Sequence, residues 1–247
     1  MLTFDFLAQP YQALCQVALS AIAGLLIIAF FTGRYQTERH GRMAKALQLP
    51  QSALLIGVAL IVWLSAAADT SLSALAALTT LGIAFGFLGD LFMANVFRQK
   101  NHVLFGIVAF ALGHICYMLG FRAIALQFNL HNLVSYSASL IGMWLIALVL
   151  WRVLVYTKQG NALQYAALIY ALFLASMAAF ALGIALQRVE FIGLALGGAL
   201  FLLSDALLAA RLFAQRAFPF IGDAIWATYI GAQVLIVCSV PLALSLI

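Results

Sequence analysis

Charge is scarce in this 247-residue chain: Asp, Glu, Lys and Arg together make up 8% of it, where a soluble domain carries about a quarter. With 66% apolar residues beside that scarcity, a soluble globular domain, a disordered chain and a fibrous one are all excluded. Proline is nearly absent as well, with four residues, Pro10, Pro50, Pro219 and Pro241. All four are expected outside helices or near helix ends, which argues against the interrupted half-helices of many transporters. The three cysteines, Cys15, Cys116 and Cys238, are odd in number, lie inside apolar stretches and lack CxxC spacing. Neither a disulfide framework nor a structural zinc site is indicated. Met1 to Gln12 contains no Lys or Arg, so the basic start of a cleavable signal peptide is missing and the first helix is expected to be retained. GxSxG, GxGxxG and P-loop patterns are absent. Of the four histidines only His114 lies clearly within an apolar run, which speaks against a three-His catalytic metal site; no metal and no cofactor is expected.

What the chain does contain is long apolar runs. A hydrocarbon layer about 30 Å thick takes roughly 20 apolar residues per helix. Such runs fall at 13–33, 52–68, 72–94, 103–122, 133–156, 162–186, 191–210 and 224–245. The expected architecture is all-α: a polytopic transmembrane bundle of about eight helices, a single membrane unit over 1–247 with no separate soluble domain. The net charge of +5 is topological and does not point to nucleic acid. The odd-numbered loops and their flanks hold Arg34, Arg39, Arg42, Lys45, Arg98, Lys100, Arg152, Lys158, Arg211 and Arg216; the even ones hold Arg122 and Arg188. The positive-inside rule then places the odd loops in the cytoplasm and both termini outside it, in a multi-pass protein of the cell membrane.

A faint internal echo runs through the chain. GFLGDLFMANVF (Gly86 to Phe97) resembles FLLSDALLAARLF (Phe201 to Phe213), with a small residue before Asp and Ala four residues after it. Asp90 precedes His114 by 24 residues and Asp205 precedes Tyr229 by 24. An offset of 115 would make 1–125 and 126–247 parallel four-helix repeats.

Ionisable side chains inside a bilayer are costly and mark function by default. Three stand out: Asp90 in the third helix, His114 in the fourth and Asp205 in the seventh. Asp90 precedes Arg98 by eight residues and Asp205 precedes Arg211 by six, so at about 1.5 Å per residue each lies about 9–12 Å inside the basic rim. Equal depth on two helices is what one shared site needs. Tyr229 and Gln233, four apart, project together at a comparable depth, and His114 with Tyr117, three apart, projects deeper. Each Asp could instead bond a neighbouring hydroxyl and fix helix packing, and His114, Tyr229 and Gln233 could be interhelical links. Asp69 and Asp223, at helix boundaries, are expected to be solvated or N-capping.

The blocks LGDLFMA…LFGIVAFALGHICYMLGF (Leu88 to Phe121), GGALFLLSDALLAARLF (Gly197 to Phe213) and ATYIGAQVLI (Ala227 to Ile236) resemble the signatures of the YhhN family of lysoplasmalogenases. The resemblance covers about a third of the chain, and the order GD, G-x3-F-x3-H-x2-Y, SD, TY-x3-Q carries it. One departure is in the first loop: the family often has Lys-Pro entering the second helix, whereas Lys45 is followed by Ala46 and Pro50 comes later, so no role is carried over to Lys45.

The resemblance implies hydrolysis of the vinyl-ether bond of a lysoplasmalogen to a fatty aldehyde and a glycerophospho-base, ethanolamine or choline. A proton must reach an alkene carbon and water must attack the resulting oxocarbenium ion, roles that one carboxylic acid and one carboxylate can divide. Asp90 and Asp205 are the expected catalytic pair. His114, Tyr117, Tyr229 and Gln233 would orient water or the departing oxygen, and Arg98 and Arg211 would hold the phosphate at the rim. The expected partners are a lysophospholipid substrate and membrane lipid. The rival from another class is a transporter or lipid-binding membrane protein that uses intramembrane Asp and His for proton or cation coupling.

Overall fold

A computed structural model describes residues 7–158, 160–216 and 218–247, apart from the side chain of Arg39. Its described residues form eight long helices: α1 (Tyr11–Thr32), α2 (Lys45–Val62), α3 (Ser73–Met93), α4 (His102–Gln127), α5 (Leu133–Leu154), α6 (Ala162–Gln187), α7 (Ile192–Leu212) and α8 (Ile221–Leu244). A π turn over Trp63–Ala67 extends α2, and a 3-10 turn over Val189–Phe191 leads into α7. All eight are long and apolar enough to span a membrane, and the protein is a multi-pass integral membrane protein. Helix is what lipid demands of such runs, because every backbone N–H and C=O must be satisfied within the segment.

The helices pair in chain order, α1 on α2, α3 on α4, α5 on α6 and α7 on α8; α4 also packs on α6, and α2 and α3 on α8. The most intimate pair, α3 with α4, is built on small residues. Gly106, Gly113 and Gly120 recur every seven residues on α4 and face α3, with Gly113 against the Gly82 carbonyl. Gly82 lies under the Tyr117 ring and Gly89 under the Phe110 ring, where any Cβ would overlap the aromatic carbons. Without a hydrophobic force between helices in lipid, such close approach is what holds them. α8 is the most enclosed helix, with Ile236, Val237 and Ala243 buried, whereas α1 and α5 turn Val17, Phe31, Ile141 and Val149 outward.

Three features differ from the expectations. α2 begins at Lys45, not near 52. Its first turns are too polar to extend the apolar run at 52–68, but Gln48 and Gln51 are buried, and Gln51 donates to the Leu47 carbonyl while accepting the Trp226 indole N–H at 3.1 Å. Pro50 therefore lies inside α2, past its first turn, where it leaves out the ladder bond to the Ala46 carbonyl. α4 runs five residues past its expected end, to Gln127. Asp223 is neither solvated nor a cap of its own helix: it is 4% exposed and its carboxylate accepts the backbone N–H of Arg42 at 2.7 and 2.9 Å and of Met43 at 2.8 Å. With the Gly222 N–H donating to the His40 carbonyl at 3.1 Å, this carboxylate straps the α1–α2 loop onto the start of α8. Asp69 is exposed, as expected.

Candidate functional site

α3 and α7 each bring one carboxyl to a common cavity of about 270 Å³. Asp90, on the last turn of α3, is 7% exposed; Asp205, on α7, is partly exposed. Asp90 is only three residues from the end of α3, so it lies nearer the loop than its spacing from Arg98 suggests, and the chain turns into the 94–101 loop right above it.

Each aspartate is held by hydroxyls from other helices. Asp90 Oδ2 accepts the Ser52 hydroxyl of α2 at 2.7 Å and the Tyr229 hydroxyl of α8 at 3.0 Å. Tyr229 in turn accepts from Gln233 Nε2 at 3.2 Å, and Gln233 Oε1 accepts the Tyr117 hydroxyl of α4 at 2.5 Å. Asp205 Oδ2 accepts the Tyr170 hydroxyl of α6. The Tyr170 oxygen also meets His114 Nε2 of α4 at 3.2 Å. Two polar chains result, Asp90–Tyr229–Gln233–Tyr117 and Asp205–Tyr170–His114. Phe201 stands between them, its ring edge-on to His114 at 4.6 Å and to Tyr229 at 5.4 Å between centroids.

The two chains mirror one another in helix number. Asp90 on α3 is served from α2 and α8; Asp205 on α7 is served from α6 and, through Tyr170, from α4. These helices exchange under the offset of 115 that pairs Asp90 with Asp205 and His114 with Tyr229.

The geometry thus brings together Asp90, Asp205, His114, Tyr117, Tyr229 and Gln233. Arg211 lines the cavity. Arg98 does not: it is an exposed residue with φ 52° in the α3–α4 loop, off the cavity wall. Lys45 occupies the mouth instead, beside Glu38 and Arg211, with its ammonium donating to the Ala94 carbonyl at 2.7 Å. The mouth is therefore at the end of the bundle formed by the odd loops.

Ser52 and Tyr170 were missed from the sequence. Both belong to apolar helices, and a lone hydroxyl there is common and carries no spacing signal. Ser52 lies seven residues past Lys45, a signal readable only once α2 is known to start there. Ser204, next to Asp205, turns away and donates to the Ile225 carbonyl at 2.9 Å. Among the described residues no three His, Cys, Asp or Glu side chains converge as metal ligands would.

Comparison with known proteins comes down to one finding. A model of the YhhN family matches residues 51–240, a stretch that runs from the second turn of α2 to the last turns of α8 and holds every residue of both polar chains. The chain belongs to the YhhN family. No curated protein and no solved structure matches it.

Proposed function

From membership of the YhhN family, which includes lysoplasmalogenases, we propose that this protein hydrolyses the vinyl-ether bond of lysoplasmalogens. The observation that carries the reading is the pair of carboxyls, Asp90 and Asp205, on one cavity with a cationic mouth.

The chemistry asks for three things. One carboxylic acid gives its proton to the β-carbon of the vinyl ether, and the electron pair of the double bond forms the new C–H bond. The positive charge then rests on the α-carbon and its ether oxygen. The second carboxyl, as carboxylate, stabilises that cation and takes a proton from the water that attacks the α-carbon. The hemiacetal so formed collapses, its hydroxyl proton passing to the departing glycerol oxygen, to give a fatty aldehyde and the glycerophospho-alcohol. One water is consumed and the carboxyl pair ends with the proton count it began with.

Two carboxyls sharing one proton is the usual state of a close buried pair, since both cannot ionise side by side at low cost. Ser52 and Tyr229 fix the orientation of Asp90, and Tyr170 that of Asp205. Lys45 and Arg211 would meet the phosphate, as cations meet oxyanions elsewhere. Glu38 at the same mouth suits the cationic ethanolamine or choline end of the head group.

The test is direct. Purified protein is incubated with a lysoplasmalogen and, separately, with the ester lysophospholipid of the same chain and head group. Aldehyde release from the first and no fatty acid from the second is the expected result. Fatty acid from the ester, or no product from either, contradicts the proposal.

A further inference from the structure

A second cavity, of about 90 Å³, lies beside the polar one, between α4, α5, α6 and α7. Its wall is hydrocarbon apart from Tyr170, Asp205 and Trp151. The Tyr170 hydroxyl and the Asp205 carboxyl bond each other, and the Trp151 indole donates to the Gln164 carbonyl at 2.9 Å. Water gains little in such a space, whereas a hydrocarbon chain loses nothing by entering it.

The two cavities meet along one wall. Met93, Phe110, Asp205 and Leu208 line both. Asp205 therefore stands at a junction, with the cationic mouth on one side and the apolar chamber on the other. A molecule with a phosphate at one end, a single hydrocarbon chain at the other and its reacting bond between them matches that order. On α7 the chamber reaches from Leu202 to Phe213, about 16 Å at roughly 1.5 Å per residue. Five alanines, Ala147, Ala167, Ala171, Ala206 and Ala209, line it, and their small side chains are what leave it open.

We infer that this chamber binds the hydrocarbon chain of a single-chain lipid, and that its alanines, Ala171 and Ala209 among them, leave the room a long chain needs. The inference rests on the lysolipid reading given above, but its test does not need turnover. The probes are saturated 1-O-alkyl lysophospholipids, which keep the head group and lack the vinyl ether, in a short-chain and a long-chain form.

Binding of both probes to the full-length detergent-solubilised protein is measured by native mass spectrometry for wild type, Ala171→Leu, Ala209→Leu and Leu174→Ala. The leucine variants fill part of the chamber: long-chain binding falls about fourfold for each methylene excluded, and short-chain binding falls less. Leu174→Ala deepens the chamber and shifts preference the other way, so a single misfolded variant does not decide the matter. Equal losses for both chain lengths, or no change for either, overturn the chamber assignment, as does a two-chain phospholipid that binds as tightly as the single-chain probe and responds to the same variants. Chain-length-selective binding without vinyl-ether hydrolysis overturns only the proposed activity. Hydrolysis with a flat chain-length profile in every variant overturns only the chamber.

Discussion

Tyr229 and Asp90 are 139 residues apart in the chain, yet the Tyr229 hydroxyl donates to Asp90 Oδ2 at 3.0 Å, tying α8 to α3 inside the bundle. The same oxygen takes the Ser52 hydroxyl from α2 at 2.7 Å. Three helices thus converge on one carboxyl, and the position of that carboxyl depends on both donors.

The donors are separable. A hydrogen bond to a charged group contributes about 1.5–3 kcal/mol, which is a rate factor of about 10 to 150 if it acts on the reacting state. Ser52→Ala and Tyr229→Phe are each expected to lower kcat within that range and to leave the protein folded, since neither substitution adds volume. Steady-state aldehyde release with size-exclusion profiles checks this; wild-type kcat in both variants would mean that Asp90 needs neither donor.

On the α7 side, Tyr170→Phe removes the hydroxyl that Asp205 accepts and, with it, the partner of His114. kcat is expected to fall tenfold or more. His114→Phe, which acts on Asp205 only through Tyr170, is expected to fall less. The order of the two rates is the readout, and a larger loss for His114→Phe would place the histidine nearer the reacting atoms than the geometry does.

Most of the architecture was legible in the sequence, because eight apolar runs can hardly do anything else in lipid. That Asp90 and Asp205 would face one cavity was legible too, from matching surroundings and similar distances to basic residues. The start of α2 was not. Gln48, Pro50 and Gln51 look like loop residues, and only their burial against α8 makes helix the better state there. Ser52 was hidden for another reason: a lone hydroxyl in an apolar helix carries no spacing signal. The places of Arg98 and Lys45 differ for a related reason: sequence distance along α3 puts Arg98 near the mouth, but the loop leaves it exposed off the cavity wall, while the earlier start of α2 brings Lys45 to the cavity. Asp223 looked like a cap because it sits in the first turn of α8, and its true partners lie 180 and 181 residues away.

The mouth gives a prediction in KM. A phosphate contact is made in ground and transition state alike, so its loss raises KM and spares kcat. Lys45→Gln and Arg211→Gln are expected to raise KM several-fold. Arg98→Gln, off the cavity, and Arg188→Gln, whose guanidinium pairs with Glu190 at 3.4 Å and stacks over Phe128 at the other end of the bundle, are expected to change nothing. Equal effects from all four would remove the phosphate-binding mouth.

Gly86 offers a test by volume. A methyl group there would fall 2.7 Å from Gln233 Nε2 and 3.2 Å from the Tyr229 hydroxyl. Both are ends of flexible side chains, so Gly86→Ala should displace them and not unfold the protein. The expected result is near-normal thermal stability with a kcat loss comparable to that of Tyr229→Phe, and no further loss when the two substitutions are combined. Additive losses would separate Gly86 from the Tyr229 contact.

Ten Lys and Arg on the odd loops against two on the even ones predict both termini outside the cytoplasm. A reporter active only in the cytoplasm, fused after Ile247, is expected to be silent, and the same reporter placed in the α3–α4 loop is expected to be active. The reverse pattern would turn the cavity mouth to the other leaflet.

The carboxyl pair is the centre of the account, and isosteric amides test it with least disturbance. Asp90→Asn and Asp205→Asn keep the shape of each side chain and remove its ability to exchange a proton. Aldehyde release from a lysoplasmalogen by each purified, monodisperse variant is the measurement. A loss of at least about a hundredfold in kcat for both, the scale of a missing general acid or base, is the predicted result; near-normal turnover by either one would show that its aspartate only holds helices together.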